Sequence, residues 1–312
     1  MLEKLKLGYA CINTDLQSQK IKISRTIRKE KFLKDTKLQL VSKLSTQNIR
    51  DLREVIRWNI KNHIYFYRIS SSILPWWSEY QFERLPDFDE IKAILRDIGD
   101  IATESGQRLT FHPGHFTILA SKNPDVVRLA ILELEQHSRI FDLMGFAPST
   151  WNKINIHIGT AQGGLEETAV RFIENFNKLS PNCRKRITLE NDDKPNMWSV
   201  QNLYDLIHKN IGIPIVFDVH HHRVGAKSGL DEIAAMNLAI GTWGDIEPII
   251  HFSSSRKDFE DNYARNVAHA DNIHESINLY NNKNVWVMLE AKMKEQALIT
   301  YRNKYLFKNL IV

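Results

Sequence analysis

Six short runs of β-branched and apolar residues in this chain each lead into a side chain that can bind a divalent metal. Arg108–Phe111 leads into His112, Ile154–Ile156 into His157 and Ile187–Leu189 into Glu190. Ile213–Phe217 leads into Asp218, with His221 just beyond, Pro248–Ile250 into His251, and Val285–Leu289 into Glu290. A mixed set of imidazoles and carboxylates is the donor chemistry that divalent transition metals select. A single histidine at a strand end is ordinarily a hydrogen-bonded structural residue, and one Asp-x-x-His arises readily by chance. Six placements at the same point of successive elements do not. In a barrel of parallel strands every strand C-terminus opens on one face, so side chains far apart in sequence meet there. The expectation is a multi-metal site.

The elements that must position these residues alternate. A first strand at Leu5–Ala10 is followed by a long polar, basic insertion and then a helical period at Ile49, Leu52, Val55, Ile56 and Ile60. A second strand covers Ile64–Ile69. Asp87–Ser105 carries Ile91, Ile94, Leu95, Ile98 and Ile101 on one stripe, with Gly106 as a C-terminal stop. Asn123 caps a helix that starts at Pro124 and runs to Met144. Further helices are expected at Leu165–Lys178, Ser199–Lys209, Leu230–Ala239, from about Ala264 to Tyr280, and from near Ala291. Eight strand–helix alternations predict an α/β fold, a single (β/α)8 (TIM) barrel with its metal site at the C-terminal mouth, spanning 1–312 as one domain.

Bulk properties narrow the function. The apolar fraction of 43% is that of a globular chain with a sizeable core, and no run of about eighteen apolar residues suggests a membrane span. No G-x-G-x-x-G or P-loop string follows a strand, so a nucleotide cofactor is not expected. Cys11 and Cys183 alone make no disulfide framework, which points to a reducing compartment, the cytoplasm or, in a eukaryote, the nucleus. Forty-two Lys and Arg against 37 Asp and Glu give a net charge of +5, and several acids belong to the proposed site. The remaining surface suits an acidic polymer such as nucleic acid. The basic run from Lys20 to Lys43 is either a solvated face or a set of phosphate contacts.

The strings Leu7-Gly8-Tyr9-Ala10-Cys11-Ile12-Asn13, Phe66-Tyr67-Arg68-Ile69-Ser70-Ser71, His112-Pro113-Gly114 and Ile156-His157-Ile158-Gly159 stand in the order seen in UV-damage endonucleases. So do Leu189-Glu190-Asn191-Asp192, Asp218-Val219-His220-His221, Ile250-His251-Phe252-Ser253-Ser254 and Met288-Leu289-Glu290-Ala291-Lys292. The chain resembles that family, within the broader endonuclease IV-like group, from Leu7 to about Glu295. The resemblance implies a repair nuclease that nicks double-stranded DNA immediately 5′ of ultraviolet photoproducts (cyclobutane dimers and 6-4 products). It would leave a 3′-hydroxyl and a 5′-phosphate. It implies metal ligands at His112, His157, Glu190, Asp218, His221, His251, His269 and Glu290, holding two to three divalent ions. Manganese is the expected ion; zinc and magnesium are alternatives. His269 enters through the resemblance, because pattern alone puts it in a helix start. Glu190, midway round the barrel, is the expected bridging and catalytic carboxylate.

The resemblance further sets Tyr9 and Asn13 against the damaged strand, although barrel packing and loop capping explain them equally. Arg68, Ser254 and Arg256 are expected phosphate contacts, and Lys292 is expected to bring positive charge to the reacting phosphate unless it is a plain rim lysine. Trp76 and Trp77 either stack on bases or form a buried pair. Two departures stand out. After His-Pro-Gly the family carries Gln-Tyr, which enters the duplex opposite the lesion; here the positions hold His115 and Phe116. Many relatives have lysine two residues before the strand-seven histidine, where this chain has Ile249. Alternatives are an abasic-site endonuclease of the endonuclease IV type, a metal-dependent sugar isomerase or epimerase, and a DNA-binding module without catalysis. A monomer is expected.

Overall fold

The computed structural model describes residues 5–306, so the outermost residues of the span expected as one domain, 1–4 and 307–312, lie outside the described residues. Eight strands form a closed parallel barrel in sequence order: β1 Lys6–Ala10, β2 Phe66–Ile69, β3 Arg108–Phe111, β4 Ile154–Ile156, β5 Ile187–Glu190, β6 Ile215–Asp218, β7 Ile249–Phe252 and β8 Trp286–Leu289. Closure comes from β8 pairing with β1, Val287 opposite Leu7 and Leu289 opposite Tyr9. The expected (β/α)8 architecture is present. Short buried strands suit a parallel sheet covered on both faces.

The helices follow from their apolar stripes. Gln39–Lys61 buries Ile49, Leu52, Val55 and Ile56, and Phe88–Ser105 buries Ile91, Ile94, Leu95 and Ile98. Pro124–Met144 begins where Asn123 accepts a hydrogen bond from the Asp125 N–H and ends at Gly145, whose φ of 83° few other residues adopt. Gly99 sets the spacing between two of these helices: a Cβ there would lie 1.8 Å from the Met144 carbonyl oxygen. The helix expected at Ser199–Lys209 is present as Val200–Ile211, with a π-turn at Tyr204–His208.

One expected helix is missing. Between β7 and β8 only Arg256–Phe259 is helical, and residues 264–280 follow an irregular path. Ser255 and His269 form an antiparallel bridge, the Arg256 N–H donates to the Ala268 carbonyl, and the Ala270 N–H donates to the Ser254 carbonyl. The Asp271 and Asn272 N–H groups donate to Glu260, and the His274 N–H donates to Ser254 Oγ. Asn and Asp in this stretch favour such local bonds over helix, and the tertiary bonds outweigh the apolar periodicity.

Two cores divide the interior. A large one lies between sheet and helices. A smaller one fills the barrel itself, from Phe66, Val216, Trp243, Ile249, Trp286 and Met288. At the N-terminal floor the Arg108 guanidinium sits 4.5 Å from the Trp151 ring, 5.5 Å from Trp286 and 5.7 Å from Trp243. It donates to the carbonyls of Trp151, Glu247 and Thr150. Lys6 and the Trp286 indole both bond the Glu247 carboxylate, each at 2.6 Å. Among the described residues no helix is long and apolar enough to cross a membrane.

Candidate metal centre and nucleic-acid interface

At the opposite end of the barrel, Glu190 closes β5 and is buried. Imidazoles from four other strand exits face it. Its Oε2 lies 3.2 Å from His112 Nε2 and 3.0 Å from His251 Nδ1, and its Oε1 lies 3.2 Å from His221 Nδ1 and 3.8 Å from His157 Nε2. Asn155, on the inward face of β4 two residues before His157, donates to Oε2 and accepts from Thr188. Glu290 completes the ring: its carboxylate is 3.2 Å from His251 Nδ1, 3.8 Å from His269 Nδ1, and paired with Arg68. Two groups have ligand atoms close enough to share an ion, His112, His157 and Glu190 in one, and Glu190, Asp218 and His251 in the other. Glu190 belongs to both.

Several imidazoles are held in one orientation through Nδ1. His112 Nδ1 lies 3.1 Å from the Pro113 carbonyl, His221 Nδ1 2.9 Å from the Asn191 carbonyl, and His269 Nδ1 2.8 Å from the Glu290 carbonyl. A proton at Nδ1 leaves Nε2 as the ligand, the usual arrangement of metal-binding histidines. His157 Nδ1 faces Asp192 at 3.2 Å. Asp218 caps the short helix Val219–Val224 by accepting from the His221 N–H, so Asp-x-x-His spans one helical turn. Asp218 Oδ2 is buried without a hydrogen-bond partner, and buried His251 Nδ1, although close to the Glu190 and Glu290 carboxylates, has neither of them in hydrogen-bond geometry. Orphaned polar atoms of this kind call for an explanation, and a cation beside these oxygen and nitrogen donors supplies one; the residues fit divalent metal.

The electrostatics agree. Burial pushes Glu190 and Glu290 up, but His251 and His157 around the first, and Arg68 and His251 beside the second, hold both well below the usual carboxylate range. Burial lowers His112 to about 4, keeping it neutral. For His221, burial is outweighed by Asp218 and Glu190, which raise it well above its ordinary value.

The interface expectations need correction in part. Tyr9 is buried, donating to Asn59 and accepting from Asn13, and Asn13 is buried and caps the following turn. Packing and capping account for the contacts of this pair. Ser254 is buried and holds the β7–β8 loop rather than a phosphate. Arg68 is turned inward onto Glu290. Arg256 is half-exposed, 3.6 Å from Asp271 and 3.8 Å from Asp261. Lys292 is exposed on the rim. His115 and Phe116 project from the β3 exit, Phe116 at 78% exposure with its ring 4.1 Å from the His115 ring. Trp77 is buried beside Phe111 and His137, and Trp76 stacks on Phe32. The basic segment belongs to the β1 exit, on the mouth side, with Lys20, Lys22, Arg28, Lys29, Lys31, Lys34 and Lys37 exposed.

Sequence reasoning missed Asn155, Asp192 and Lys153. Lys153 is wholly buried just before β4, with Nζ 3.5 Å from His251 Nε2, and burial holds its pKa well below the usual lysine value. Ile249 fills the inner core one layer beneath His251. The histidine thus has a lysine neighbour from β4 although position 249 supplies none. The period-two alternation of β4, inward at 153, 155 and 157, was the available signal.

Fold and site together define a (β/α)8-barrel protein with a candidate metal centre of histidines and carboxylates at the strand ends. A family model described as UV-endonuclease UvdE matches residues 5–309. The UV-damage endonuclease of Schizosaccharomyces pombe is 34% identical over 97% of this chain, which spans only 51% of that protein's length. The UV DNA damage endonuclease of Bacillus cereus (strain G9842) is 34% identical over 81% of this chain and 78% of its own. The crystal structure of SacUVDE superposes with a TM-score of 0.83 at 32% identity, covering 98% of this chain and 99% of that one. The chain belongs to the UV-damage endonuclease family, a family of DNA-repair endonucleases. Endonuclease IV from Thermus thermophilus, 12% identical with a TM-score of 0.55 over 80% of this chain and 93% of its own, shares the fold.

Proposed function

We propose that this chain is a metal-dependent endonuclease that nicks double-stranded DNA immediately 5′ of ultraviolet photoproducts, leaving a 3′-hydroxyl and a 5′-phosphate. The observation that carries the reading is Glu190, a buried carboxylate faced by histidines from four other strand exits. Two or three divalent ions, manganese first, would be held by His112, His157, Glu190, Asp218, His221, His251, His269 and Glu290. When bound, such ions supply Lewis acidity toward water and toward the phosphodiester oxygens. The chain's own residues make that centre rigid. Asp192 and the carbonyls of Pro113, Asn191 and Glu290 fix four imidazoles, and Arg68 fixes the Glu290 carboxylate. Phe116 enters the gap opposite the displaced lesion, with His115 toward the orphaned bases. The exposed lysines of the β1 exit, Arg256 and Lys292 meet phosphates, so binding weakens with salt. The protein acts as a monomer where DNA is, in the cytoplasm or, in a eukaryote, the nucleus.

The test is incision of an end-labelled duplex carrying one defined cyclobutane dimer or 6-4 product, with manganese, beside an abasic duplex and an undamaged one. A cut 5′ of the photoproduct that is lost on chelation and restored by manganese supports the reading. Cutting of the abasic duplex alone replaces it with the abasic-site activity. Full activity after verified metal removal overturns the metal mechanism.

A further inference from the structure

The β7–β8 loop carries Tyr263, whose side chain is 93% exposed, more than any other large hydrophobic residue among those described. The loop that presents it is firmly held. Its neck is the bridge between Ser255 and His269, so the loop leaves just after one candidate metal ligand, His251, and returns at another. Within it the Tyr263 N–H donates to Asp261, the Ala264 N–H to the Asp261 carbonyl, and Lys257 to Asn266. Two of its acids are engaged within the protein: Glu260 accepts from Asp271, Asn272 and His274, and Asp261 faces Arg256. An aromatic ring held in water on a braced loop has no folding role.

Its position supplies one. In an eight-stranded barrel β3 and β7 are diametrically opposed. Phe116 leaves β3 and Tyr263 leaves β7, both on the mouth face, with the Glu190 cluster between them. On the proposed function, Phe116 marks the lesion and the metal centre marks the phosphate to be cut. A point beyond the centre on the same line falls on the far side of that phosphate, which for a cut 5′ of the lesion is the 5′ flank. We propose that Tyr263 packs against the duplex 5′ of the scissile phosphate, a second aromatic contact that, with Phe116, brackets the reacting linkage. The inference rests on the nuclease reading above.

The test measures kcat/KM for incision by wild type, Tyr263→Ala and Tyr263→Phe. Three photoproduct duplexes are compared: full arms, a shortened 5′ arm and a shortened 3′ arm. Removing an exposed aromatic side chain from water against the duplex is a sizeable contact, so Tyr263→Ala is expected to lose about tenfold on full arms, through KM with kcat unchanged. Tyr263→Phe, which keeps the ring, stays within about twofold. Shortening the 5′ arm costs wild type the same factor and leaves Tyr263→Ala unaffected, whereas shortening the 3′ arm costs both alike. A Tyr263→Ala variant equal to wild type on full arms overturns the proposal, as does a deficit that persists unchanged without the 5′ arm. Failure of wild type to cut the lesion duplex at all overturns the nuclease reading instead.

Discussion

The two ends of the barrel solve opposite problems with similar materials. At the floor one buried cation, Arg108, has its donors spent on three backbone carbonyls and its faces covered by tryptophan. At the mouth, carboxylates and imidazoles are crowded together, and Asp218 Oδ2 and His251 Nδ1 make no hydrogen bond of good geometry. A fully satisfied polar cluster rigidifies a core, while a partly satisfied one is costly unless something else completes it. Polar groups at the floor therefore serve the fold, and those at the mouth suit a bound cation.

The largest effect that sharpens this contrast is expected from Glu190→Gln. Loss of a group that merely supports a metal ligand costs about 10–100-fold, so loss of the shared carboxylate should lower incision by more than about a hundredfold. Circular dichroism should stay unchanged while bound metal, measured by elemental analysis, falls. A variant that cuts at near wild-type rate removes Glu190 from the centre. His251→Ala is expected to behave alike.

Trp286→Ala should do the reverse. Truncating a buried tryptophan costs about 3–5 kcal/mol, read as a lower urea midpoint, while incision per folded molecule stays close to wild type. If activity falls with stability intact, the two ends are coupled and the contrast fails.

The side wall gives a smaller, pH-dependent effect. His137 is buried between Trp77 and Phe111, and burial holds its pKa at about 3. The unfolded chain protonates this residue near pH 6.5, so its contribution is full above that pH. It then falls by about 1.4 kcal/mol per unit toward the folded value as acid is added. Urea titrations between pH 6.5 and pH 4 should show a shallower decline for His137→Phe than for wild type. Parallel curves would show that this histidine is not what acid attacks.

Phe116→Ala is expected to be gentlest, about 1–3 kcal/mol in affinity for lesion DNA with little change for undamaged duplex. Equal losses on both would make Phe116 a wall of the pocket and not a probe.

Much of the barrel was legible because six of the strands are short, largely apolar runs leading into a polar residue, and the six strand-end candidates do converge. The loop carrying His269 was not, since Val267, Ile273 and Ile277 mimic a helical stripe while the bonds that decide the path come from Ser254, Ser255 and Glu260. Position in a family string did not reveal that Tyr9, Asn13 and Ser254 are buried, because a motif fixes a place in the chain without saying which way the side chain turns. Asn155 stayed hidden inside a run read as apolar, and Lys153 lies just before it.

Barrel closure has a consequence for when this protein becomes active. The centre draws on exits from β3 through β8, and Arg68, from β2, secures Glu290 only once β8 has docked against β1. Such long-range pairing is slow to form, and no partial array of strands contains the full set of candidate ligands. A chain still emerging from the ribosome, or trapped part-way to its fold, thus lacks the assembled candidate centre. Completion of the fold itself is the safeguard on cutting.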